Sequence, residues 1–281
     1  MEVNLMKYSV LMSLYKNEKA EYLDKSIMSM ISQTVTPDEI VIVKDGPLTK
    51  ELEDTLNNYL ESYPNLFKII SSEKNLGLGL ALNLGLRNCK NELVARMDTD
   101  DISLPTRCEK QLKKFIENKE LGIVGAMIDE FSKDEGEIIS SRKVPITYNE
   151  IYKFSKRRSP FNHPTVMYKK SLVLEVGGYR DLKKCQDFNL FGRMLQKGIK
   201  AENIPESLLL FRAGDNFMEK RGNWLSTKSY IKSSYGLLKI GYTNIFDFLY
   251  VLFGQLTIFI VPTFLRKIIY KKILRKDFKN A

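Results

Sequence analysis

The first half of the chain alternates short apolar runs with segments in which apolar residues recur at helical spacing. The apolar runs are YSVLMSL (8–14), EIVIVKD (39–45), FKIISS (67–72), NELVARM (91–97) and LGIVGAMIDEF (121–131). The helix-like segments between them are 22–33, 50–63, 79–89 and 106–118. In the first of these, Leu23, Ile27, Met30 and Ile31 fall on one face. Repeated β-α-β units predict an α/β fold with a mostly parallel central sheet flanked by helices.

The second half of the chain is less regular. Residues 164–179 (PTVMYKKSLVLEVGGY) predict a strand, a helix and a glycine turn, and residues 186–198 predict a further helix. SLLLFRA (207–213) predicts a strand, and the chain from Trp224 onward has a helical pattern to its end. The pattern therefore adds a C-terminal helical segment to the α/β fold.

Polar residues follow three of the predicted strands. YKNE (15–18) follows the first strand, Asp45 ends the second, and Asp98, Asp100 and Asp101 follow the fourth. In parallel sheets, ligands bind beyond the carboxyl ends of the strands. The pattern therefore predicts one site at this edge of the sheet rather than scattered surface charge.

The three aspartates of ARMDTDD (95–101) repel one another, and a divalent cation would relieve that repulsion. Carboxylate oxygens suit Mg²⁺ or Mn²⁺, and few protein ligands are needed where a substrate diphosphate supplies the others. The alternative is a helix N-terminus, where acidic residues interact favourably with the helix dipole. The motif alone leaves both interpretations open.

Composition narrows the class of protein. The chain has 281 residues, of which 43% are hydrophobic, which suffices for one large domain or for one domain with an appendage. Cys89, Cys108 and Cys185 show no C-x-x-C spacing, which argues against a disulfide framework or a zinc site and fits a reducing compartment. His163 is the single histidine, and no G-x-S-x-G motif is present, which disfavours hydrolase chemistry based on serine or cysteine.

Five motifs in order resemble those of the family 2 glycosyltransferases, which have the GT-A fold. They are SVLMSLYKNE (9–18), IVIVKDGP (40–47), NLGLGLALNLG (75–85), ARMDTDD (95–101) and VGGYRDLKKCQDFNLFGRML (176–195). The resemblance covers residues 7–221. It implies a nucleotide-sugar donor, with a UDP-sugar as the favoured one, and an acceptor that carries a hydroxyl group.

The resemblance also implies roles for individual residues. Tyr15 would stack on the base, Asp45 would accept the pyrimidine N3–H, and Asp187 would be the general base. The nucleotide-binding residues implied are Ser13, Tyr15, Asp45, Asn75, Asp98 and Asp100. The metal ligands implied for Mg²⁺ or Mn²⁺ are Asp98, Asp100 and Asp101.

Each assignment has a simpler alternative. Tyr15 could be an ordinary loop aromatic, Asp45 could form an Asx turn, and Asp187 could be a first-turn acid of a helix. Two positions depart from the pattern of many relatives. Gln186 stands in place of a glutamate beside the base, and Leu82 stands in place of a basic residue.

Other cations could replace the missing diphosphate contact. The candidates are Arg212 and Arg221, the last next to Lys220, while His163 could donate to the diphosphate or bind the metal. For His163 we favour the alternative of a polar turn residue held by Pro164, since a lone histidine without partners is a weak signal. For the arginines the alternative is a solvated basic surface.

The predicted reaction is metal-dependent sugar transfer with inversion of the anomeric centre. One alternative is a sugar nucleotidyltransferase, but the loop LYKNEKAEY (14–22) lacks the glycines that such enzymes usually carry. Another is a catalytically weak or inactive nucleotide-binding scaffold at a membrane. The acids at positions 98, 100 and 187 favour an active enzyme.

The C-terminal segment combines an apolar run with a basic tail. Residues 248–265 carry no charge, and the last twenty residues contain seven basic residues against one acid, within a net charge of +10. The basic residues that follow the run should stay cytoplasmic. A single span would then place the catalytic part outside the cell, away from the cytosolic nucleotide-sugars. We therefore predict a helix that lies in or dips into the inner leaflet, with the tail on anionic headgroups. The alternative is packing on the catalytic domain or a partner subunit.

The predicted organisation is a catalytic domain over residues 1–222 and a membrane-associating segment over 223–281. The nucleotide-sugar half would be 1–104 and the acceptor half 105–222. The predicted partners are a nucleotide-sugar, a saccharide acceptor linked to lipid in surface polysaccharide synthesis, and an anionic membrane surface. Nucleic acid is not predicted, because the basic residues follow an apolar run. The predicted location is the cytoplasmic face of a bacterial plasma membrane, in a peripheral or monotopic arrangement.

Overall fold

The sheet and its helices occupy most of the residues that the computed structural model describes, which are 3, 6–132, 134–214 and 223–262. The strands are β1 (Tyr8–Leu14), β2 (Glu39–Asp45), β3 (Phe67–Ser72), β4 (Leu93–Arg96), β5 (Ile102–Ser103), β6 (Leu121–Phe131), β7 (Ile138–Arg142), β8 (Met167–Lys169) and β9 (Lys200–Arg212). The helices are α1 (Ala20–Ile31), α2 (Lys50–Ser62), α3 (Leu78–Asn88), α4 (Arg107–Glu117), α5 (Tyr148–Phe154), α6 (Lys170–Glu175), α7 (Gln186–Gln196), α8 (Trp224–Lys239) and α9 (Ile245–Ile260). A 3₁₀ turn covers His163–Thr165.

The strands pair in the order β3-β2-β1-β4-β8-β6-β9-β5, and β7 pairs with β6. Strands β3, β2, β1 and β4 are all parallel, as predicted. Beyond β4 the sheet is mixed, because β8 runs antiparallel to both β4 and β6, while β9 is parallel to β6. The α/β fold is therefore confirmed, with its parallel character concentrated in the first half.

Successive residues of the central strands face opposite sides of the sheet and enter two hydrophobic cores. Val10 and Met12 join the core that contains α1, α2 and α4, whereas Leu11 joins the core that contains α3 and α7. Helix α8 packs on α7 through Leu237, which fits because Gly192 has no side chain. A Cβ atom there would come within 2.6 Å of Leu237 Cδ2.

Three elements were not predicted from the sequence. Strand β5 has two residues, too few to show a period, and β7 exposes Ile138 and Ile139, so it carries no buried pattern. Helix α5 begins at a capping box in which Thr147 and Glu150 bond each other's backbone, a signal that the sequence does contain.

The acidic cluster leads into β5 rather than opening a helix, since α4 begins only at Arg107.

The C-terminal helical prediction is confirmed for α8 and α9. Within the described part of the chain, no helix is both long enough and apolar enough to cross a membrane. The end of the apolar run and the whole basic tail, from residue 263 onward, lie outside the described residues.

The Gly177–Gly178 turn sets the start of the segment that leads into α7. Both glycines have positive φ, and a Cβ atom on Gly178 would come within 2.4 Å of Asn83 Oδ1. Asn83 bonds the backbone of Tyr179 twice: its Oδ1 accepts from the amide at 2.8 Å, and its Nδ2 donates to the carbonyl at 2.8 Å. Arg193 of α7 donates to the carbonyls of Val176 and Gly178. The turn is therefore bonded from both α3 and α7.

Replacement of Asn83 by alanine should lower the free energy of unfolding by about 2–3 kcal/mol, because two buried backbone groups of Tyr179 lose their partners. Urea unfolding followed by circular dichroism measures this change. The matched control is Asn88→Ala on the same helix, where a single bond to the Leu84 carbonyl is lost. Equal destabilisation by the two substitutions would contradict the role assigned to Asn83.

Candidate active site

Three carboxylates meet where β4 ends. Asp98, Asp100 and Asp101 each offer an oxygen, and these oxygens lie within 4.8 Å of one another. The loop is held from both sides, since Ser26 of α1 donates to the Asp98 carbonyl at 2.6 Å and Thr99 donates to Glu18 at 2.9 Å. The structure therefore brings together the three acids that the sequence predicts.

The innermost acid, Asp101, is fully buried. Its Oδ1 accepts from the Arg212 backbone N–H at 2.9 Å, while its Oδ2 is buried and has no hydrogen-bond partner among the described residues. Burial raises the pKa of Asp101 well above its usual value, and the charges of Asp100 and Asp98 raise it further. Burial likewise raises the pKa of Asp100 to about 7, together with the charges of Asp98 and Glu18. An orphaned buried oxygen within such a cluster fits a divalent cation.

A buried arginine lies beside the acids. Arg96, the last residue of β4, is 1% exposed and donates from Nη2 to Asp98 Oδ1. Burial lowers the pKa of Arg96, but the charges of Asp98 and Asp101 outweigh burial and the net shift is upward. Its Nε and Nη1 are buried without partners in the described residues. Arg96 was not predicted as a site residue from the sequence, although it stands two positions before Asp98.

Arg212, at the end of β9, holds the acidic loop from the other side. Its Nε donates to the Asp100 carbonyl at 2.9 Å, and its guanidinium lies 3.9 Å from the Tyr22 ring centroid and 4.5 Å from that of Phe131. Arg212 is buried, so it is not a solvated surface cation. Its contact with a diphosphate stays a prediction. Lys220 and Arg221 lie outside the described residues.

The predicted base-stacking residue lies close to the acids. Tyr15 follows β1 and is 43% exposed, and burial raises its pKa together with the charges of Glu18 and Asp100. Ser13, within β1, is half-buried. The nucleotide-binding roles of Tyr15 and Ser13 stay predictions, and the position of Tyr15 near Asp100 is compatible with its role.

Asp45 bonds the loop that precedes α3, a contact that was not predicted from the sequence. Its carboxylate accepts from the backbone N–H groups of Leu76 at 2.6 Å and Gly77 at 3.0 Å, and from Asn75 Nδ2 at 3.1 Å. These bonds connect the end of β2 to the loop that opens α3, rather than forming a local Asx turn. Contact of Asp45 and Asn75 with the base stays a prediction, since both side chains already bond each other.

Asp187 stands in the first turn of α7, where Cys185 precedes it in the left-handed conformation with φ of 59°. It is half-buried, and its Oδ2 accepts from Ser159 Oγ at 3.2 Å. The first-turn placement matches the simpler alternative, but a carboxylate there is also held rigidly with one oxygen oriented by Ser159.

Tyr179 connects Asp187 to the acidic cluster. Burial raises the pKa of Tyr179, and its hydroxyl also interacts electrostatically with Arg96, Asp187 and Asp98. Asp98 and Asp187 therefore both lie within electrostatic range of one buried hydroxyl, although they are far apart in sequence. That the predicted base and the predicted metal ligands form one site stays a prediction.

His163 bonds Tyr179 rather than presenting a cation. Its Nε2 lies 2.9 Å from the Tyr179 hydroxyl oxygen, and its ring packs edge-on against Phe191 with 6.0 Å between centroids. Burial lowers the pKa of His163 well below its usual value, and the nearby Arg96 lowers it further. A neutral imidazole has no charge to offer a diphosphate, so any contact there would be a hydrogen bond only. That contact stays a prediction.

The sequence profile described as Glycosyl transferase family 2 matches residues 9–177. The UDP-Gal:alpha-D-GlcNAc-diphosphoundecaprenol beta-1,3-galactosyltransferase of Escherichia coli is 36% identical over 270 residues, covering 96% of this chain and 97% of that protein. The amylovoran biosynthesis glycosyltransferase AmsE of Erwinia amylovora is 39% identical over 233 residues, covering 83% of this chain and 85% of that protein.

The fold has close counterparts among solved structures. The mannosyltransferase PcManGT from Pyrobaculum calidifontis, solved in complex with GDP-Man and Mn²⁺, superposes with a TM-score of 0.64 at 15% identity. The alignment covers 91% of this chain and 71% of that one. This confirms the GT-A type of fold. Because the family profile spans more than half of the chain and its relatives align over nearly all of it, the chain belongs to glycosyltransferase family 2 and is a glycosyltransferase.

Proposed function

We propose that the protein transfers a sugar from a UDP-sugar to a hydroxyl of a saccharide that is linked through a diphosphate to a lipid, with inversion of the anomeric centre. The observation that carries the proposal is the cluster of Asp98, Asp100 and Asp101 at the end of β4, whose oxygens lie within 4.8 Å of one another. Asp187 and Asp98 both act electrostatically on the Tyr179 hydroxyl, which is compatible with a base and a diphosphate site that serve one reaction. The relative from Escherichia coli, whose name includes both a UDP-sugar and a diphosphate-linked lipid acceptor, supports this choice of substrates.

The acids fit a divalent cation, Mg²⁺ or Mn²⁺. Asp98, Asp100 and Asp101 would hold it, and the unpartnered Oδ2 of Asp101 is a buried oxygen that a cation would satisfy. When bound, the cation would offset the negative charge of the donor diphosphate. Mn²⁺ in the mannosyltransferase of the same fold supports this assignment.

Asp187 would take the proton of the attacking acceptor hydroxyl. Its oxygen bonded to Ser159 is oriented, and the other can face the acceptor. The hydroxyl then attacks the anomeric carbon opposite the UDP group in a single displacement, which inverts the anomeric centre. The buried Arg96 guanidinium forms an ion pair with Asp98 and would help to hold that carboxylate in place for the donor. Tyr15 and Asp45 would bind the base.

The exposed faces of α8 and α9 support attachment to a membrane surface. On α9, Phe246, Tyr250, Phe253 and Ile260 are exposed by 74%, 60%, 63% and 76%, at spacings that place them on one face. We call these four residues the α9 stripe. On α8, Lys228, Lys232 and Lys239 are exposed at similar spacing, which suits anionic headgroups. We propose a peripheral position on the cytoplasmic face of a bacterial plasma membrane, with residues 223–281 as the membrane-associating segment and 1–222 as the catalytic domain.

Purified full-length protein should transfer sugar from one of a panel of UDP-sugars, with Mn²⁺, to a synthetic glycosyl diphosphate lipid. Mass spectrometry detects the product, and NMR reads its anomeric configuration. Asp187→Asn should lower the rate by about 10²–10⁴-fold because general base catalysis is lost, while UDP affinity stays within twofold.

The matched control for Asp187 is Asp181→Asn, an exposed acid in the same segment, which should keep full activity. A parallel collapse of UDP affinity in Asp187→Asn would make Asp187 a structural residue. A retained anomeric configuration would contradict the single displacement.

In the absence of metal, Asp100→Asn should raise the midpoint of thermal unfolding by about 2–4 °C, because it removes repulsion among partly buried acids. Addition of Mn²⁺ should stabilise the wild type and leave this variant unchanged. Asp54→Asn, an exposed acid of α2, is the control. An equal Mn²⁺ shift in wild type and Asp100→Asn, or full turnover in excess EDTA, would contradict the metal assignment.

The double substitution Phe246→Ser with Phe253→Ser should weaken binding to vesicles containing anionic lipid by about tenfold or more, since each buried apolar side chain contributes about 1.5–3 kcal/mol. Flotation assays measure the change. Ile138→Ser with Ile139→Ser removes two exposed apolar residues from β7 and should have no effect. If both double variants bind vesicles like the wild type, the α9 stripe is not the membrane surface.

A further inference from the structure

A cavity of about 1000 Å³ lies away from the acidic cluster, between α5, β9, α9 and the strand pair β6–β7. Its wall carries five basic side chains: Lys143, Lys153, Lys156, Arg157 and Arg158. Two acids, Glu150 and Asp247, share the wall. The excess of basic residues makes this a site for an anion rather than for a neutral ligand.

Both acids already have partners. Glu150 accepts from the Thr147 backbone N–H at 2.9 Å as part of the capping box of α5, and Asp247 accepts from Arg157 Nε at 2.8 Å. Lys153 is exposed and makes no ion pair within the described part of the chain. The wall therefore contains more basic than acidic residues, and Lys153 contributes an exposed charge.

The cavity is continuous with the α9 stripe. Tyr250 belongs both to the cavity wall and to the stripe, and the guanidinium of Arg157 lies 4.6 Å from the centroid of its ring. A ligand held here would place an anionic group beside an exposed apolar surface. Such a combination matches an amphiphile with a phosphate-bearing head, since a free anion would not need the apolar stripe.

The cavity is also connected to Asp187 through a short stretch of chain. Arg158 is followed by Ser159, whose hydroxyl donates to Asp187, and the Ser159 carbonyl accepts from Arg142 Nη2 at 3.1 Å. Tyr230 of α8 donates to the Arg157 carbonyl at 3.2 Å. The basic wall and the predicted base therefore sit on one bonded segment.

We propose that this cavity binds the diphosphate of the lipid-linked acceptor, with the lipid along the α9 stripe and the saccharide directed toward Asp187. This assignment rests on the proposed function for its acceptor class. The protein would then have two diphosphate sites. The donor diphosphate would bind at the acidic cluster, and the acceptor diphosphate would bind in the basic cavity.

Binding tests the cavity without requiring catalysis. Full-length protein in EDTA is titrated with a short-chain prenyl diphosphate by calorimetry. Lys153→Glu should weaken binding by about tenfold or more, because one attractive charge becomes repulsive. Arg157→Gln should weaken binding as well. Lys50→Glu, which replaces an exposed lysine on α2, should bind like the wild type.

Four results would overturn the proposal. They are no binding by the wild type, unchanged binding in Lys153→Glu, binding that appears only when Mn²⁺ replaces EDTA, and displacement of the prenyl diphosphate by glycerophosphoglycerol, the soluble headgroup of phosphatidylglycerol. The third would assign the ligand to the donor site, and the fourth would make the cavity a general phospholipid headgroup site.

Kinetics separates this proposal from the proposed function. In Lys153→Glu, KM should rise by about tenfold for the diphosphate-linked acceptor with kcat little changed, and should stay the same for a simple glycoside acceptor. An equal rise for both acceptors would contradict the assignment. If the wild type transfers no sugar to either acceptor, the proposed function fails, while the titration still tests the cavity.

Discussion

The acidic cluster at the end of β4 imposes the main electrostatic constraint on this protein. Three carboxylates within 4.8 Å repel one another, and the fold partly offsets that repulsion with Arg96 and with bonds from Arg212. Arg96 is the end of a parallel strand, whereas Arg212 ends β9, which pairs with β6 and β5. The cluster is therefore bonded both from the parallel part of the sheet and from its mixed part.

The two halves are also joined on the other face of the sheet. Asn83 of α3 bonds the backbone of Tyr179, whose hydroxyl lies 2.9 Å from His163 Nε2 and interacts electrostatically with Asp98 and Asp187. The turn that carries Tyr179 needs glycine at 177 and 178, where φ is positive. Hydrogen bonds from α3 and α7 therefore hold this turn in place, next to the start of the helix that carries Asp187.

Sequence patterns predicted the first half of the fold well because buried parallel strands read as continuous apolar runs, as in β1 and β2. Strands β5 and β7 were not predicted, because β5 has only two residues and β7 has no buried apolar residues that would form a pattern. Within the site, Asp98, Asp100 and Asp101 are adjacent in sequence, so their cluster was predictable. The bonds of Asp45 to residues 75–77 and the link from Ser159 to Asp187 were not, since they join segments that only the folded chain brings together. The basic cavity was hidden for the same reason.

The burial of Arg96 has an evolutionary consequence. A buried cation without a carboxylate partner is strongly destabilising, so the acids of the cluster, Asp98 above all, stabilise the fold. A descendant that lost its catalytic role could not discard all of these acids and keep the arginine. We expect such a descendant to replace Arg96 together with Asp98, so that the pair is inherited or lost as one unit.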